Sequence, residues 1–251
     1  MTAASGLHNQ QRRLDVIANN IANVNTAGFR GTRVDFKDAM FTAGFTPGRA
    51  RNPEENQQRG HGVLIAGITR NFNNASVLAT ERHLDVAIDG EGFFTLSDLE
   101  GNLFYTRNGT FQLSVENGER FLTNSNGLYV LDTNGERISK PQGAEGIFIG
   151  LDGAIRWHET GAPQARLAIY MFRNKMGLEA AGNGTFTESI ASGERIVAPN
   201  ATIMQGFIEG SNVDLSEEMT RMIRTQRAFQ LASRALTTAD EMEGIANNMR
   251  R

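Results

Sequence analysis

The sequence of 251 residues contains no cysteine. It has only one tryptophan and 5 prolines. The absence of cysteine excludes disulfides, thiolate metal ligands and a cysteine nucleophile. The formal net charge of -3 provides no basic field of the kind that attracts nucleic acid or anionic lipid. No apolar run approaches the roughly 20 residues of a membrane-spanning helix. The first residues lack a basic segment followed by an apolar one, so we expect no ordinary cleaved signal peptide.

The N-terminal stretch has the apolar spacing of a helix. Two rows of positions, three places apart, repeat every seven residues: Leu7, Leu14 and Ile21, and Gln10, Ile17 and Val24. Apart from Gln10, this is the seam pattern of a coiled coil. The pattern ends at Asn25-Thr26-Ala27-Gly28, where glycine suits the left-handed position that follows a helix.

The C-terminal stretch predicts a second, longer helix. Asp214, with Glu217 three places on, forms a plausible N-cap pair, and both Glu217 and Glu218 complement the positive end of the helix dipole. A row of apolar positions then repeats every seven residues: Leu215, Met222, Phe229 and Leu236. A second row begins with polar Thr225 and continues with Ala232, Ala239 and Ala246, flanked by Met242. Such a narrow, alanine-rich stripe favours close packing against several neighbouring helices.

The region between these helices predicts an antiparallel β unit. Short apolar runs such as FFTL, LFYT and LYVL alternate with turn dipeptides that recur about every eight to eleven residues. Glycines expected at these turns, or just after the first helix, are Gly28, Gly90, Gly92, Gly109 and Gly127. Residues 45–75 hold two prolines and a polar run, which indicates an extended connector.

The sequence therefore predicts an α+β fold in which a discontinuous, terminal coiled-coil domain encloses an inserted, mainly antiparallel β domain. The predicted parts are 1–44 with 206–251 for the helical domain, 45–75 for the connector and 76–205 for the β domain. At about 1.5 Å per residue the first helix measures roughly 27 Å and the second roughly 54 Å. About half of the longer seam then has no N-terminal helix to cover it within the chain, which leaves apolar surface for other subunits.

No group of residues predicts catalysis, a metal or a cofactor. The histidines His8, His61, His83 and His158 are far apart and fit no ligand spacing. The Gly90-Glu91-Gly92 turn lacks the third glycine and the helix of a dinucleotide loop, and Asp132-Thr133-Asn134-Gly135 lacks the rest of a calcium loop. We therefore expect no catalytic residue, no metal, no cofactor and no small-molecule substrate.

The asparagines near the end of the first helix call for a specific explanation. Asparagine is a mediocre helix former, yet it occupies positions 19, 20, 23 and 25. One interpretation is that the helix frays into a turn here. The other is that the amides form lateral hydrogen bonds between subunits packed around an axis.

Several of these segments resemble a known family. Residues 14–36, LDVIANNIANVNTAGFRGTRVDF, and residues 210–242, GSNVDLSEEMTRMIRTQRAFQLASRALTTADEM, resemble the terminal signatures of bacterial flagellar rod and hook proteins. DVAIDGEGFFTL at 85–96, YTRNGTFQL at 105–113 and GLYVLD at 127–132 resemble the β-domain motifs of the distal and proximal rod proteins, the FlgG and FlgF type. Nearly the whole chain is covered.

The resemblance implies a non-enzymatic subunit of the flagellar basal-body rod, located outside the cytoplasmic membrane and exported by the flagellar type III apparatus without a cleaved signal. Its terminal helices would polymerise helically with copies of the chain and with other rod and hook proteins, and so transmit torque from motor to hook. The residues expected at subunit interfaces are Leu7, Leu14, Ile17, Asn19, Asn20, Ile21, Asn23, Val24, Asn25, Leu215, Met222, Phe229, Ala232, Leu236, Ala239 and Met242.

Two other functions stay open from the residues alone. One is an oligomeric β-domain binding module, such as an adhesin or carbohydrate binder, whose coiled-coil ends serve only to oligomerise it. Its sugar platform would consist of Trp157, Tyr105, Tyr129 and Tyr170. The other is a peptidoglycan hydrolase, which would need a carboxylate pair or a metal cluster that the sequence does not display.

Overall fold

A computed structural model describes residues 2–39, 42–43, 58–59, 62–144, 146–158, 161–199 and 201–249. The chain divides into two compact units. Unit 1 comprises Met1–Ala22, Thr32–Arg70 and Asp214–Arg251, and unit 2 comprises Asn23–Gly31 and Asn71–Val213. Helices at both ends of the chain and antiparallel strands between them give the α+β class that the sequence predicted.

Unit 1 contains the two long helices of the described chain, α1 (Thr2–Ala22) and α2 (Leu215–Asn248). The N-cap predicted at Asp214 is confirmed, because its Oδ1 accepts a hydrogen bond from the Glu217 backbone N–H at 3.0 Å. Helix α1 ends at Ala22, two residues before Val24. The prediction that Val24 continues the helical seam is therefore wrong. The carbonyl of Asn23 accepts from Thr26 N–H at 3.1 Å, and this turn replaces the next helical turn.

The strands of unit 1 are β1 (Thr32–Asp38), β2 (Thr42–Ala43), β3 (Gln58–Arg59) and β4 (Val63–Arg70). Strands β1 and β4 form an antiparallel ladder with a register shift between Asp35 and Phe36, and β2 pairs with β3. Both β1 and β4 contact α1. Of the predicted connector, 45–75, the part at 45–57 and 60–61 lies outside the described residues, whereas 63–70 forms β4.

The described part of unit 2 contains short strands and a 3₁₀ turn at Lys175–Gly177. In chain order its strands begin with β5 (Val77–Ala79), β6 (Val86–Asp89), β7 (Phe93–Ser97), β8 (Leu103–Thr106), β9 (Phe111–Glu116), β10 (Glu119–Asn124), β11 (Tyr129–Val130) and β12 (Ser139–Lys140). They continue with β13 (Phe148–Ile149), β14 (Ala154–Arg156), β15 (Ala165–Arg166), β16 (Ile169–Phe172), β17 (Glu179–Gly182), β18 (Thr185–Thr187), β19 (Arg195–Val197), β20 (Thr202–Gln205) and β21 (Phe207–Glu209).

Within the described residues, ten of these strands form one antiparallel sheet. Its main order is β12-β10-β11-β7-β8-β18-β17, with β9 on β10, β16 on β7 and β19 on β16. Smaller pairings join β13-β14-β15, β20 with β6, and β21 with β5. The short antiparallel hairpins predicted from the apolar runs and turn dipeptides are confirmed, for instance by β9 and β10 around Asn117-Gly118.

The core of unit 2 has two apolar clusters, one on each side of β7. Adjacent Phe93 and Phe94 point to opposite faces because side chains alternate along a strand. Phe94 meets Phe111 edge-on at 5.1 Å between ring centroids, in the larger cluster that also buries Trp157. Phe93 belongs to the smaller cluster, where Tyr105 meets Phe172 at 4.8 Å. These edge-to-face pairs stabilise the packing beyond the burial of their surface.

The predicted turn glycines have two different physical roles. Gly28, Gly90, Gly92 and Gly127 have positive φ, whereas Gly109 does not. The backbone of Gly109 instead lies against β6, where Val86 N–H donates to its carbonyl at 3.0 Å. A Cβ on Gly109 would lie 1.7 Å from the carbonyl oxygen of Val86. Glycine is therefore needed at position 109 because the backbone of Val86 lies so close, and not because of a turn conformation.

Candidate assembly surface

Asn20 links three elements of unit 1 from the last turn of α1. Its Oδ1 accepts the backbone N–H of Thr32 at 2.9 Å, and its Nδ2 donates to the carbonyl of Thr32 at 2.8 Å. The side-chain amide thus makes the same pair of hydrogen bonds to Thr32, the first residue of β1, that the backbone of a neighbouring strand would make. Nδ2 also lies 3.3 Å from Oε2 of Glu218 on α2. Asn20 is buried, and all of these amide partners lie within the chain.

The two acids at the start of α2 are not equivalent. Glu217 is exposed and pairs with Arg221 one turn later, in keeping with the predicted dipole role. Glu218 is only 5% exposed; its Oε2 faces Asn20 and its Oε1 accepts from Arg221 Nη1 at 2.7 Å. The prediction for Glu218 was therefore incomplete, because this carboxylate also contacts α1.

The predicted seam of α2 lies on the side of the helix that carries its buried residues. Steps of seven residues rotate a position by only about 20°, so Met222, Phe229 and Leu236 share a face with buried Glu218 and Thr225. The first three are half-buried, and α1 and α2 contact each other. Thr225, which interrupted the predicted second row, donates its hydroxyl to the Arg221 carbonyl at 2.8 Å and is thereby satisfied inside the helix.

A second apolar stripe runs along α2 outside its half-buried face. Its members are large and exposed, and successive members lie three, four, eight or eleven residues apart: Met219, Ile223, Leu231, Met242, Ile245 and Met249. Ile223 is 52% exposed and Leu231 is 66% exposed. Of these six, the sequence prediction of interface residues contained Met242 alone. The helical spacing was available as a signal, but Arg224, Arg227 and Arg234 interrupt the stripe and mask it.

The other predicted interface residues differ in exposure. On α1, Ile17 is buried, Leu7, Leu14 and Ile21 are half-buried, and Asn19 lies on the surface. In the following segment Asn23 and Val24 are half-buried and Asn25 is exposed. On α2, Leu215 is exposed, Ala232 is half-buried, and every residue from 237 to 249, including Ala239, is exposed. The last three turns of α2 are therefore open along both stripes.

A groove along α1 contains polar groups that the sequence analysis missed. Gly6, Asn9, Gln10, Arg13 and Phe36 line it, and the guanidinium carbon of Arg13 lies 5.9 Å from the centre of the Phe36 ring. Asn9 is buried and donates from Nδ2 to the carbonyl of Val63 on β4. Asn9 and Asn20 thus attach the same helix to the two strands of the ladder. The seven-residue pattern of α1 marks mainly apolar positions and does not identify Asn9.

The described residues contain no cluster of metal-binding side chains. His8, His83 and His158 are exposed and apart, while His61 lies outside the described residues. No group of three or more potential ligands, counting histidines and acids, comes together in the described part of the chain. Neither described helix is long and apolar enough to cross a membrane.

The aromatic platform proposed for a carbohydrate binder is wrong. Trp157 is 2% exposed, and Tyr105 and Tyr129 are also buried. Tyr170 is half-buried and lies under the guanidinium of Arg195 at 5.0 Å. Burial raises the pKa of Tyr105, which is the expected response of a phenol packed in a core. Trp157, Tyr105 and Tyr129 therefore lie in the interior of unit 2, and the four rings do not form an exposed platform.

Together these features define a class: an α+β protein whose two terminal helices share one unit and whose inserted antiparallel strands form another. Comparison with known proteins agrees with this class. Three family models match: "Flagella basal body rod protein" at residues 1–30, "Flagellar hook protein FlgE/F/G D1 domain" at 87–157, and "Flagellar basal body rod FlgEFG protein C-terminal" at 204–249.

Individual relatives align over nearly the whole chain. The flagellar basal-body rod protein FlgG of Borreliella burgdorferi is 38% identical over 100% of this chain and 97% of its own length. The protein of the same name from Bacillus subtilis is 37% identical over 98% of this chain and 97% of its own length. The flagellar hook-basal body complex protein FlhP of Bacillus subtilis is 29% identical over 100% of this chain. The chain belongs to the flagellar basal-body rod protein family.

Proposed function

We propose that the chain is a structural subunit of the bacterial flagellar basal-body rod and acts by assembly, without catalysis. The observation that carries the proposal is the full-length similarity to rod proteins combined with the exposed apolar stripe of α2. A long helix with large apolar side chains on an open face is typical of a surface that other subunits cover.

The different lengths of the helices support assembly through α2. At about 1.5 Å per residue, α1 with 21 residues spans roughly 31 Å and α2 with 34 residues roughly 51 Å. The excess length coincides with the stretch from residue 237 onward that is exposed on every side. We propose that helices of neighbouring copies cover this stretch and pair as coiled coils, with Leu236, Ala239 and Met242 among the buried positions.

We propose that the second stripe of α2 contacts further neighbours. Each apolar side chain that becomes fully buried contributes about 1.5 to 3 kcal/mol, so several from one stripe resist shear that a single contact could not. Copies related by one repeated screw operation form an open helical assembly, because their head-to-tail contacts do not close. Such an assembly, together with other rod and hook proteins, would transmit torque from motor to hook.

The remaining proposals concern location and organisation. We place the assembled chain in the flagellar basal body outside the cytoplasmic membrane, after export by the flagellar type III apparatus without a cleaved signal. We keep 1–44 with 206–251 as the axial helical domain, 45–75 as the link to the outer β domain and 76–205 as that β domain, with β4 (Val63–Arg70) as the part of the link that pairs with β1. Among the predicted interface residues we retain those with exposed or half-buried side chains and leave out the two that are buried within the chain, Asn20 and Ile17.

The decisive experiment combines electron microscopy of isolated basal bodies with a swimming assay. A strain without this chain should lose an axial segment of the rod and should not swim. Ile223→Asp and Leu231→Asp should abolish swimming although the purified variants keep wild-type stability, because both side chains are exposed. Leu99→Asp, an equally exposed apolar position in a turn of unit 2, is the matched control and should swim. Normal rods and swimming in both stripe variants would contradict the proposal.

A further inference from the structure

Unit 2 contains a buried carboxylate with three partners from distant parts of the chain. Glu209, at the end of β21, is 2% exposed. Its Oε1 lies 2.6 Å from Nη2 of Arg30 and accepts the backbone N–H of Ala75 at 3.0 Å. Its Oε2 lies 3.2 Å from Nη1 of Arg107. Both arginines are buried as well, so one negative and two positive charges share an interior site.

Backbone carbonyls accept further hydrogen bonds from the two guanidinium groups. Arg30 donates from Nη1 to Asn73 O at 3.1 Å, and Arg107 donates to Ile88 O at 3.2 Å and to Gly90 O at 2.6 Å. Burial lowers the pKa of Arg107, and the charge of Glu209 opposes that shift. Nε of Arg30 is buried without a hydrogen-bond partner, so the site has no partner to spare. Loss of one more partner would leave the remaining charges unpaired in a poorly solvating interior.

The backbone reinforces the same connection. Gly28 N–H donates to the carbonyl of Glu209 at 2.8 Å, and Gly31 N–H donates to Oδ1 of Asn212 at 2.8 Å. Asn212 N–H donates to Phe29 O at 3.4 Å, and its side-chain Nδ2 donates to Asn71 O at 2.8 Å. Residue 28 must be glycine because the chain there lies against Arg107 and Asn108, and a Cβ would be 2.5 Å from the backbone nitrogen of Asn108.

We infer that Glu209 is a clamp that makes segment 28–31 and segment 207–212 become ordered together. The two segments are 179 positions apart at their ion pair, and they adjoin the two terminal helices in sequence. Without segment 28–31, Glu209 loses its shortest ion pair. Without segment 207–212, Arg30 and Arg107 are left as neighbouring like charges with no carboxylate between them. Unfolding of either segment therefore destabilises the other, so that the two segments unfold together as one cooperative unit.

This clamp does not depend on the proposed assembly, so the test uses the full-length monomer. Amide hydrogen exchange is followed at Gly28, whose N–H bonds Glu209 O, and at Gly210, whose N–H bonds Ser76 O. Neither bond is removed directly by a change at the Arg30 side chain. Arg30→Met should raise exchange at Gly210, in the opposite segment, by about tenfold, and Glu209→Gln should do the same at Gly28. In the double variant Arg30→Met/Glu209→Gln, the increase in exchange at either amide should be much smaller than the product of the increases in the two single variants.

Two further variants keep the test decisive. Asn212→Ala removes side-chain hydrogen bonds without stranding a charge and should still raise exchange at Gly28, even if Arg30→Met unfolds unit 2. Asp152→Asn, which breaks the exposed pair between Asp152 and Arg166, should leave both amides unchanged. Trp157 fluorescence monitors global folding of unit 2. The inference is overturned if Arg30→Met and Asn212→Ala each affect exchange only within their own segment, or if the double variant equals the product of the single ones.

Discussion

Asn20 on α1 and Glu218 on α2 are joined by a hydrogen bond of 3.3 Å between Nδ2 and Oε2 and lie 198 positions apart in the sequence. Both side chains are buried, and each has further partners in unit 1. The pair connects the two helices through polar groups, whereas the sequence pattern pointed only to apolar contacts. Because buried polar groups are costly when unpaired, this contact fixes the register of α1 against α2 more strictly than apolar packing does.

Removal of the Glu218 carboxylate should destabilise unit 1. Glu218→Ala leaves one donor of Asn20 without its partner, and we expect the free energy of unfolding to fall by about 1 to 3 kcal/mol. Far-ultraviolet circular dichroism during urea denaturation measures this, because both long helices of the described chain belong to unit 1. Glu217→Ala is the matched control. Glu217 is exposed, so its loss should cost less than about 1 kcal/mol. An equal fall in the free energy of unfolding for both substitutions would contradict the structural role assigned to the buried Glu218 carboxylate.

The two faces of α2 should respond differently to a charge. Phe229→Asp places a carboxylate on the half-buried face and should lower the stability of the helices by about 2 kcal/mol, since apolar burial is lost. Ile223→Asp makes the same kind of change on the exposed stripe and should stay within about 0.5 kcal/mol of wild type. Trp157 fluorescence should be unchanged in both, because the β region stays folded. A larger loss of helix stability for Ile223→Asp than for Phe229→Asp would show that the faces are assigned the wrong way round.

The sequence was most informative where a residue acts on its immediate neighbours. The N-cap at Asp214 and the hairpin at Asn117-Gly118 follow from local chemistry, and both are present. A seven-residue repeat, in contrast, identifies a face of a helix without saying which helix covers it. The partners of Asn20 depend on where Thr32 and Glu218 lie in three dimensions, which neither the spacing nor the propensity of asparagine encodes. That is why the sequence left two interpretations of this segment open, whereas the buried amide of Asn20 has its partners within its own chain.

A methyl group at position 109 should be incompatible with the β structure. The Cβ of Gly109→Ala would lie 1.7 Å from Val86 O, a backbone atom of a fully buried strand residue that cannot move aside. We expect a loss of several kcal/mol, comparable with or larger than the about 1 to 3 kcal/mol of ordinary overpacking. The sole tryptophan, Trp157, reports unfolding of unit 2 in urea. Gly161→Ala meets nothing within 4 Å and should leave the midpoint unchanged. A stable Gly109→Ala protein would show that β6 yields at this contact.

The hydroxyl of Thr69 should control the ionisation of Asp35 across the ladder of β1 and β4. Thr69 Oγ1 donates to Asp35 Oδ2 at 2.7 Å, and this hydrogen bond is the main reason why the pKa of Asp35 lies below its ordinary value of 3.8. Thr69→Val keeps the side-chain shape, removes the donor and should raise that pKa. Carbon-detected NMR titration of the Asp35 carboxyl measures the change. Arg33→Gln removes two individually smaller causes, the bond from Arg33 Nε at 2.9 Å and the charge of Arg33, and should also raise the pKa.

The depressed pKa also sets the sign of the pH dependence. A carboxyl whose pKa is lower in the folded chain contributes stability above its ordinary pKa of 3.8, and this contribution disappears as the pH falls through the folded value. Wild-type unit 1 should therefore lose stability over that acidic range. Thr69→Val should lose less, because the pKa of its Asp35 differs less between the folded and the unfolded chain. Urea midpoints followed by circular dichroism at a series of acidic pH values test this. An identical acid slope in both proteins, despite a raised Asp35 pKa in the variant, would mean that the unfolded chain retains the same interaction.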